Sequence, residues 1–324
     1  MATHNPSKNH HWIPQCYLKG FAKSRSKKAS LYVVDAIAKK AFDSIPRYVG
    51  SAKDFNRIEV PGFAPDHIES QMSKFETQLD QALGRVIQAK SLDNLEDFNL
   101  ILNLIALMAV RTPRKRETIR QSQEQILKRV MEMSLSNRAQ YESTIENAKK
   151  SGEIASDSNV SYESIREFIE RDKYKIEIPT ARHIVIEFDL QDTILPLLGK
   201  RKWILLKAPA KSGFITTDHP VVLRWKEQKA RGFFASPGHA TMGTELFFPI
   251  SQELAMVGTF EGPQKTIDIN EDYVAYFNGV LIHSSQRQVY ARDGRFKYVA
   301  PDGVIRFGAD LLKDVERFRP NDKI

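Results

Sequence analysis

From Pro65 onward, apolar residues recur at three- or four-residue steps, at Ile68, Met72, Phe75, Leu79, Leu83, Val86 and Ile87. That spacing places them on one face and predicts an amphipathic helix opened by Pro65. A second helix is predicted near Asp93, with Glu96 three residues on in capping-box spacing. Its residues Leu95, Phe98, Ile101, Leu102, Ile105, Leu107 and Met108 make it apolar nearly all round, so it should sit centrally. Proline in a helix interior removes a backbone hydrogen bond and clashes, so Arg111-Thr112-Pro113 marks a kink or a Thr-capped restart, of which the restart is favoured. From Arg114 to about Ala148 there is no Gly or Pro, and Ile119, Ile126, Leu127, Val130, Met131 and Leu135 lie among many charges, predicting one long amphipathic helix. The linker from Ser151 to Ser158 ends it. Ser161 then caps a shorter helix through Arg171, although Ser164 is not the partner a capping box needs.

After Pro179 the pattern changes to short β-prone runs separated by Gly, Pro and charged turns. They are Trp203 to Leu206, Gly213 to Thr216, Val221 to Leu223, Glu245 to Phe248, Ala255 to Val257 and Gln288 to Tyr290. A helix at Glu271 to Asn278 interrupts them, and Leu31 to Asp35 reads as an amino-terminal strand. Strands segregated from helices predict an α+β fold. The expected layout is one large domain over 1–324: a basic, β-rich unit over 1–64, a helical region over 65–175 with its bundle at about 65–172, and a mainly antiparallel β-rich region over 176–324.

Composition narrows the class. The 324 residues are 41% hydrophobic and 27% charged, with 16 Gly and 15 Pro, which excludes collagen-like and wholly disordered chains. The single cysteine, Cys16, excludes a disulfide framework or a multi-thiolate zinc site and suits a reducing compartment. The polar start Met1 to Lys8 resembles no signal peptide. Leu100 to Val110 is about half the ~20 residues a bilayer needs, so the expected address is cytoplasmic with no membrane partner. The net charge is +8, yet segments 1–64, 111–130 and 200–236 carry +7, +5 and +7, leaving −11 on the remainder. Segregated basicity suggests nucleic acid or another polyanion as partner, against the plainer reading of solvated turns and strand ends.

There is no P-loop, no Gly-x-Gly-x-x-Gly after a strand and no Gly-x-Ser-x-Gly elbow. His10 and His11 are adjacent, so on a strand they point to opposite faces and cannot share a metal. His4, His67, His183, His239 and His283 show no ligand spacing, so neither a metal ligand set nor a cofactor can be named. Three separated strings do carry a signal together: His11-Trp12-Ile13-Pro14-Gln15-Cys16-Tyr17-Leu18-Lys19-Gly20-Phe21, Arg111-Thr112-Pro113, and Phe214-Ile215-Thr216-Thr217-Asp218-His219-Pro220. With Asp54-Phe55, Phe248-Pro249-Ile250-Ser251 and Ser285 to Tyr290, they resemble the bacterial family termed domain of unknown function 4238 over about residues 10–290. Cys16 stands where that family usually has an aromatic, and Asn56 where Tyr is commoner. The resemblance implies no established reaction.

The polar residues of these strings are the candidates for chemistry. His11 titrates near neutrality and suits acid–base work, and Gln15 suits orienting a substrate or water. Turn capping and backbone satisfaction would explain the same pair. Arg111 leaves a buried helix at its C-terminal end, where it either offsets the helix dipole or grips phosphate with Arg114 and Arg116. Asp218 either makes an Asx-turn before Pro220 or displays its carboxylate at a strand end. The expectation is that His11, Gln15, Arg111 and Asp218 form a catalytic set in one basic pocket, with Arg114, Arg116, His219 and Arg287 binding substrate. A nuclease-like hydrolase of a phosphate-bearing substrate is the leading reading. The alternative is a non-catalytic nucleic-acid-binding or interaction protein, in a setting such as phage defence.

Overall fold

The computed structural model describes residues 9–26, 28–171, 174–227 and 236–318. His4 and the rest of the polar start, Lys27 of the first basic turn, and residues 228–235 of the third basic segment lie outside the described residues. The chain opens with β1 (Asn9–His11), a one-turn helix α1 (Gln15–Leu18), the hairpin β2 (Leu31–Asp35) and β3 (Lys40–Ser44), and β4 (Ser51–Lys53), which pairs antiparallel with β1. Six helices follow: α2 (His67–Ala89), α3 (Leu95–Val110), α4 (Pro113–Ser134), α5 (Arg138–Lys150), α6 (Tyr162–Glu170) and α7 (Thr180–Gly199). The rest comprises β5 (Lys202–Lys207), β6 (Thr216–Thr217), β7 (Val222–Trp225), β8 (Thr244–Pro249), β9 (Leu254–Thr259), β10 (Lys265–Asp268), α8 (Glu271–Ser284), β11 (Gln288–Ala291), β12 (Lys297–Val299), β13 (Ile305–Phe307) and α9 (Leu311–Phe318).

The protein is α+β. A five-stranded sheet runs β10-β5-β9-β8-β7, antiparallel except where β10 meets β5. A second, antiparallel sheet runs β3-β2-β11-β6, so the amino-terminal hairpin is hydrogen-bonded to a strand from near the other end of the chain. The apolar helix α3 is central as its pattern predicts, packing on α2 and α7 with Ile101, Leu104 and Ile105 fully buried. One core cluster joins Tyr17, Leu18 and Phe21 to Leu79, Leu83 and Ile105 of the helices and to Trp203, Phe248 and Met256 of the larger sheet. A second gathers Phe214, Phe247, Phe277, Leu281 and Tyr298 around α8.

Several expectations are corrected. The long helix after Pro113 is two helices, because Asn137 interrupts it and its side-chain oxygen accepts from Gln140 N at 2.8 Å to cap α5. The β-rich region opens with a helix, α7, which tolerates Pro196 in its last turns and packs on α3. Helix α2 starts at His67 rather than Pro65, and α3 is capped by Asn94 rather than Asp93. Of the run Gly213 to Thr216, only Thr216 enters a strand. The buried Asn278 of α8 replaces a neighbouring strand there, accepting from Ile215 N and donating to the carbonyls of Gly213 and Lys297. The Thr112 cap, by contrast, is as expected, with its hydroxyl accepting from Lys115 N.

Helix α8 lies so close to β12 that a Cβ on Gly279 would stand 2.3 Å from the Val299 carbonyl oxygen. Alanine is the better helix former by about 1 kcal/mol, but the clash is with backbone and outweighs that gain. Gly279→Ala is therefore expected to destabilise the protein by about 1–3 kcal/mol, read as a lower urea midpoint at unchanged m-value.

Candidate functional site

The His11-to-Phe21 string is a strand, a bend and one helical turn. In β1, His10 faces inward, with its Nδ1 accepting from Asn56 N at 2.8 Å, and the strand alternation turns His11 the other way. Gly50 accepts from both Trp12 N and Ile13 N through its carbonyl, and its φ of +62° suits glycine. Pro14 then starts α1, where Tyr17 and Leu18 are wholly buried and Gln15 stays at the edge. Lys19 Nζ donates to Asp80 of α2 at 2.5 Å, tying this turn to that helix.

Across from it, α2 presents a polar stripe beside its apolar one. Asp66, Glu69, Ser70, Ser73 and Glu76 follow at helical spacing and, with Lys74, His11 and Gln15, line an open cavity of about 530 Å³. His11 Nε2 lies 3.1 Å from the Arg47 carbonyl, which can only accept, so that nitrogen carries the proton and Nδ1 keeps a free lone pair. Burial lowers the His11 pKa below its ordinary 6.5, against the pull of that carbonyl and of Glu69. Glu76 moves the other way: burial, reinforced by Glu69, pushes its carboxyl up to about 7, although Arg111, the Gln15 backbone N–H and Lys19 oppose the shift. One cavity thus holds a histidine kept neutral and a carboxyl that stays protonated close to neutral pH.

Arg111 and Arg116 stand behind this wall. Arg116 makes a two-pronged ion pair with Glu187 of α7 at 2.7 and 2.9 Å, donates to the Phe55 carbonyl and lies 3.7 Å over the Phe55 ring. Glu187 is thereby engaged, and Arg111 Nε reaches it only at 3.9 Å. Among the described residues, the buried Nε and Nη2 of Arg111 have no hydrogen-bond partner, while its charge acts on Glu69 and Glu76. Asp218 lies at the end of β6, where its carboxylate accepts from Gln286 N, Arg287 N and Gln288 N at 2.9, 2.6 and 3.2 Å. Arg287 Nε donates to the buried Asp35 at 2.8 Å. The buried Nε2 of His219 has no hydrogen-bond partner among the described residues, and its pKa is lowered to about 4, first by burial and then by Arg114 and Lys115.

The eight residues singled out from the sequence therefore fall into four places. His11 and Gln15 line the cavity, Arg111 and Arg116 share Glu187, Arg114 neighbours His219, and Asp218 and Arg287 secure the turn into β11. Of the expected basic pocket of His11, Arg111 and Asp218, the lining of the His11 cavity includes neither Arg111 nor Asp218, and it carries three carboxylates. The backbone hydrogen bonds of Asp218 explain its place at the strand end. Sequence reasoning missed Glu69, Glu76 and Glu187. The helical spacing of Asp66, Glu69, Ser73 and Glu76 was a visible signal for the cavity face, whereas nothing local marks Glu187. Among the described residues, no three His, Cys, Asp or Glu side chains are grouped to hold a metal ion, and no helix is long and apolar enough to cross a membrane.

These features define an α+β protein with an open polar cavity, lined by His11, Gln15 and Glu76, between its amino-terminal turn and α2. The chain belongs to the family described as protein of unknown function (DUF4238), which matches residues 9–295. No curated protein and no solved structure matches it.

Two stability measurements follow. The Glu76 carboxyl is raised above its ordinary 4.5 in the fold, so its contribution is full below that value and lost as pH rises through about 7. Glu76→Gln should accordingly match the parent at pH 4 and exceed it by about 1–3 kcal/mol at pH 8 in urea denaturation. Asp218→Ala strands three backbone donors and should cost about 2–4 kcal/mol in the same assay.

Proposed function

We propose that the protein is a nuclease-like hydrolase of a phosphate-bearing substrate, with the chemistry in the His11–Glu76 cavity. The observation that carries this reading is the opposite perturbation of those two groups within one cavity, the pattern by which acid and base roles are divided. His11 Nδ1 takes a proton from the attacking water as its oxygen bonds to phosphorus. The bond to the leaving oxygen breaks, and that oxygen takes the Glu76 proton. Gln15 orients the water, and Lys74, with Arg111 behind the wall, offsets charge developing on the phosphoryl oxygens. Asp66 and Glu69 repel a dianionic monoester more than a singly charged diester, so the diester is the substrate this lining favours. In this reading the protein works in the cytoplasm, where the buried Cys16 thiol stays reduced.

A second reading, a non-catalytic nucleic-acid-binding protein, draws on the exposed Arg114 and Lys115 in the first turn of α4, a helix with no buried residue. Turnover separates the two. Purified protein should degrade RNA or single-stranded DNA, and His11→Ala or Glu76→Gln should lower the rate by ~10²–10⁴-fold. The rate should fall on the alkaline side near pH 7, as Glu76 ionises, and on the acid side below 6.5, as His11 takes a proton. Salt-sensitive binding without turnover, or undiminished cleavage by His11→Ala, rejects the hydrolase.

A further inference from the structure

A second cavity, of about 440 Å³, opens on another part of the molecule and shares no lining residue with the first. Its wall is formed by the loop before β6, the turn between β11 and β12, and the end of β13. Lys211, Arg292, Arg295 and Lys297 contribute four cations against one lining carboxylate, Asp293. Arg295 is committed to Asp293 at 2.8 Å and Lys297 to Glu271 at 2.7 Å. Lys211 and Arg292 are exposed and, among the described residues, make no direct ion pair, although Lys211 acts through space on Glu271 and Arg292 on Asp293, so the ammonium and guanidinium groups keep their donors available at the mouth.

The apolar half is equally specific. Phe214 and Phe296 are buried in the wall, while Phe307 stands at the rim with about half its surface in solvent. Register places Phe307 directly across from Lys297 on the neighbouring strand. The chain then turns through Gly308, whose N–H donates to the Phe296 carbonyl at 2.8 Å. A Cβ there would stand 2.1 Å from the Phe296 ring, so only glycine passes, and the Phe307 ring is left at the opening. An exposed aromatic face in a cavity of ligand size that carries more cations than carboxylates suits a planar base joined to a short phosphate chain.

We infer that this cavity binds a nucleoside diphosphate, with the base on Phe307 and the two phosphates on Lys211 and Arg292. Two cations without a direct ion pair match two phosphate groups, and the inference stands whether or not the other cavity is hydrolytic. Calorimetric titration of the full chain with ADP, GDP, CDP and UDP tests it, with pyrophosphate and adenosine as controls, at 50 and 200 mM salt. At least one nucleoside diphosphate should bind more tightly than pyrophosphate or adenosine, and more weakly at the higher salt. The double variant K211E/R292E should weaken it at least ~10-fold. Phe307→Ala should weaken the nucleotide about 5-fold or more and leave pyrophosphate unchanged. His11→Ala should bind as the parent does, so failure of the hydrolase reading leaves this one standing. The substitutions at Lys211, Arg292 and Phe307 touch exposed side chains, and thermal melting of each variant confirms its fold. Arg292→Ala replaces the double variant should the latter unfold. No binding by any of the four nucleotides, or binding indifferent to the charge reversal, overturns the inference.

Discussion

The hydroxyl of Tyr17, wholly buried, bonds at 2.8 Å both to Thr216 Oγ1 of β6 and to the Pro249 carbonyl of β8. One side chain of the amino-terminal turn thus joins the two main sheets, and its ring stacks on Phe248 with centroids 5.3 Å apart. A buried hydroxyl without partners costs several kcal/mol, so the turn is held where both bonds can form. The Gly20 carbonyl, accepting from Gln252 N at 2.9 Å, closes the same seam from the other side. This seam joins the β1–β4 pairing, the His11–Arg47 hydrogen bond and the Lys19–Asp80 ion pair in giving His11 and Gln15 a fixed place facing α2.

The charge pattern behind the first cavity follows from a competition. Arg116 takes both oxygens of Glu187 and the Phe55 carbonyl, leaving Arg111 a buried cation with an ion pair at the limit of contact. A guanidinium stays charged at any pH the fold survives. Its field reaches Glu69 and Glu76, yet burial and Glu69 still hold the Glu76 carboxyl near neutrality. The outcome depends on three helices and a β1-to-α1 turn being assembled at once.

The two cavities also differ in the sign of their electrostatics. The first is lined by three carboxylates against His11 and Lys74, the second by four cations against one carboxylate. The net +8 of the chain is therefore not spread over one binding face. Many of the basic residues are locally neutralised in ion pairs such as Arg116–Glu187, Arg224–Glu245 and Lys19–Asp80, which leave the net charge unchanged but remove free charge from those places. Basic segments counted along a sequence locate charge on the chain, whereas the free charge a ligand meets is what remains after carboxylates from distant segments have been paired.

The local periodicities of α2 and α3, the Thr112 restart, the Ser161 cap and most strands of the larger sheet were legible because each depends on neighbours within a few residues. Helix α7 was not: Ile184, Val185, Ile186 and Ile194 have the β-branched content of strands, and its packing against α3 overrides that preference. The amino-acid sequence alone determined that this chain folds as α+β around an apolar central helix, which family it resembles, and that His11 and Gln15 are chemically notable. Only the tertiary structure decided that Glu76 shares their cavity, that Asp218 serves the backbone, and that Lys211 and Arg292 line one cavity with Phe307. The reason is that a side chain's proton affinity and pairing depend on what lies within a few ångströms through space, and those neighbours here come from residues scattered along the chain.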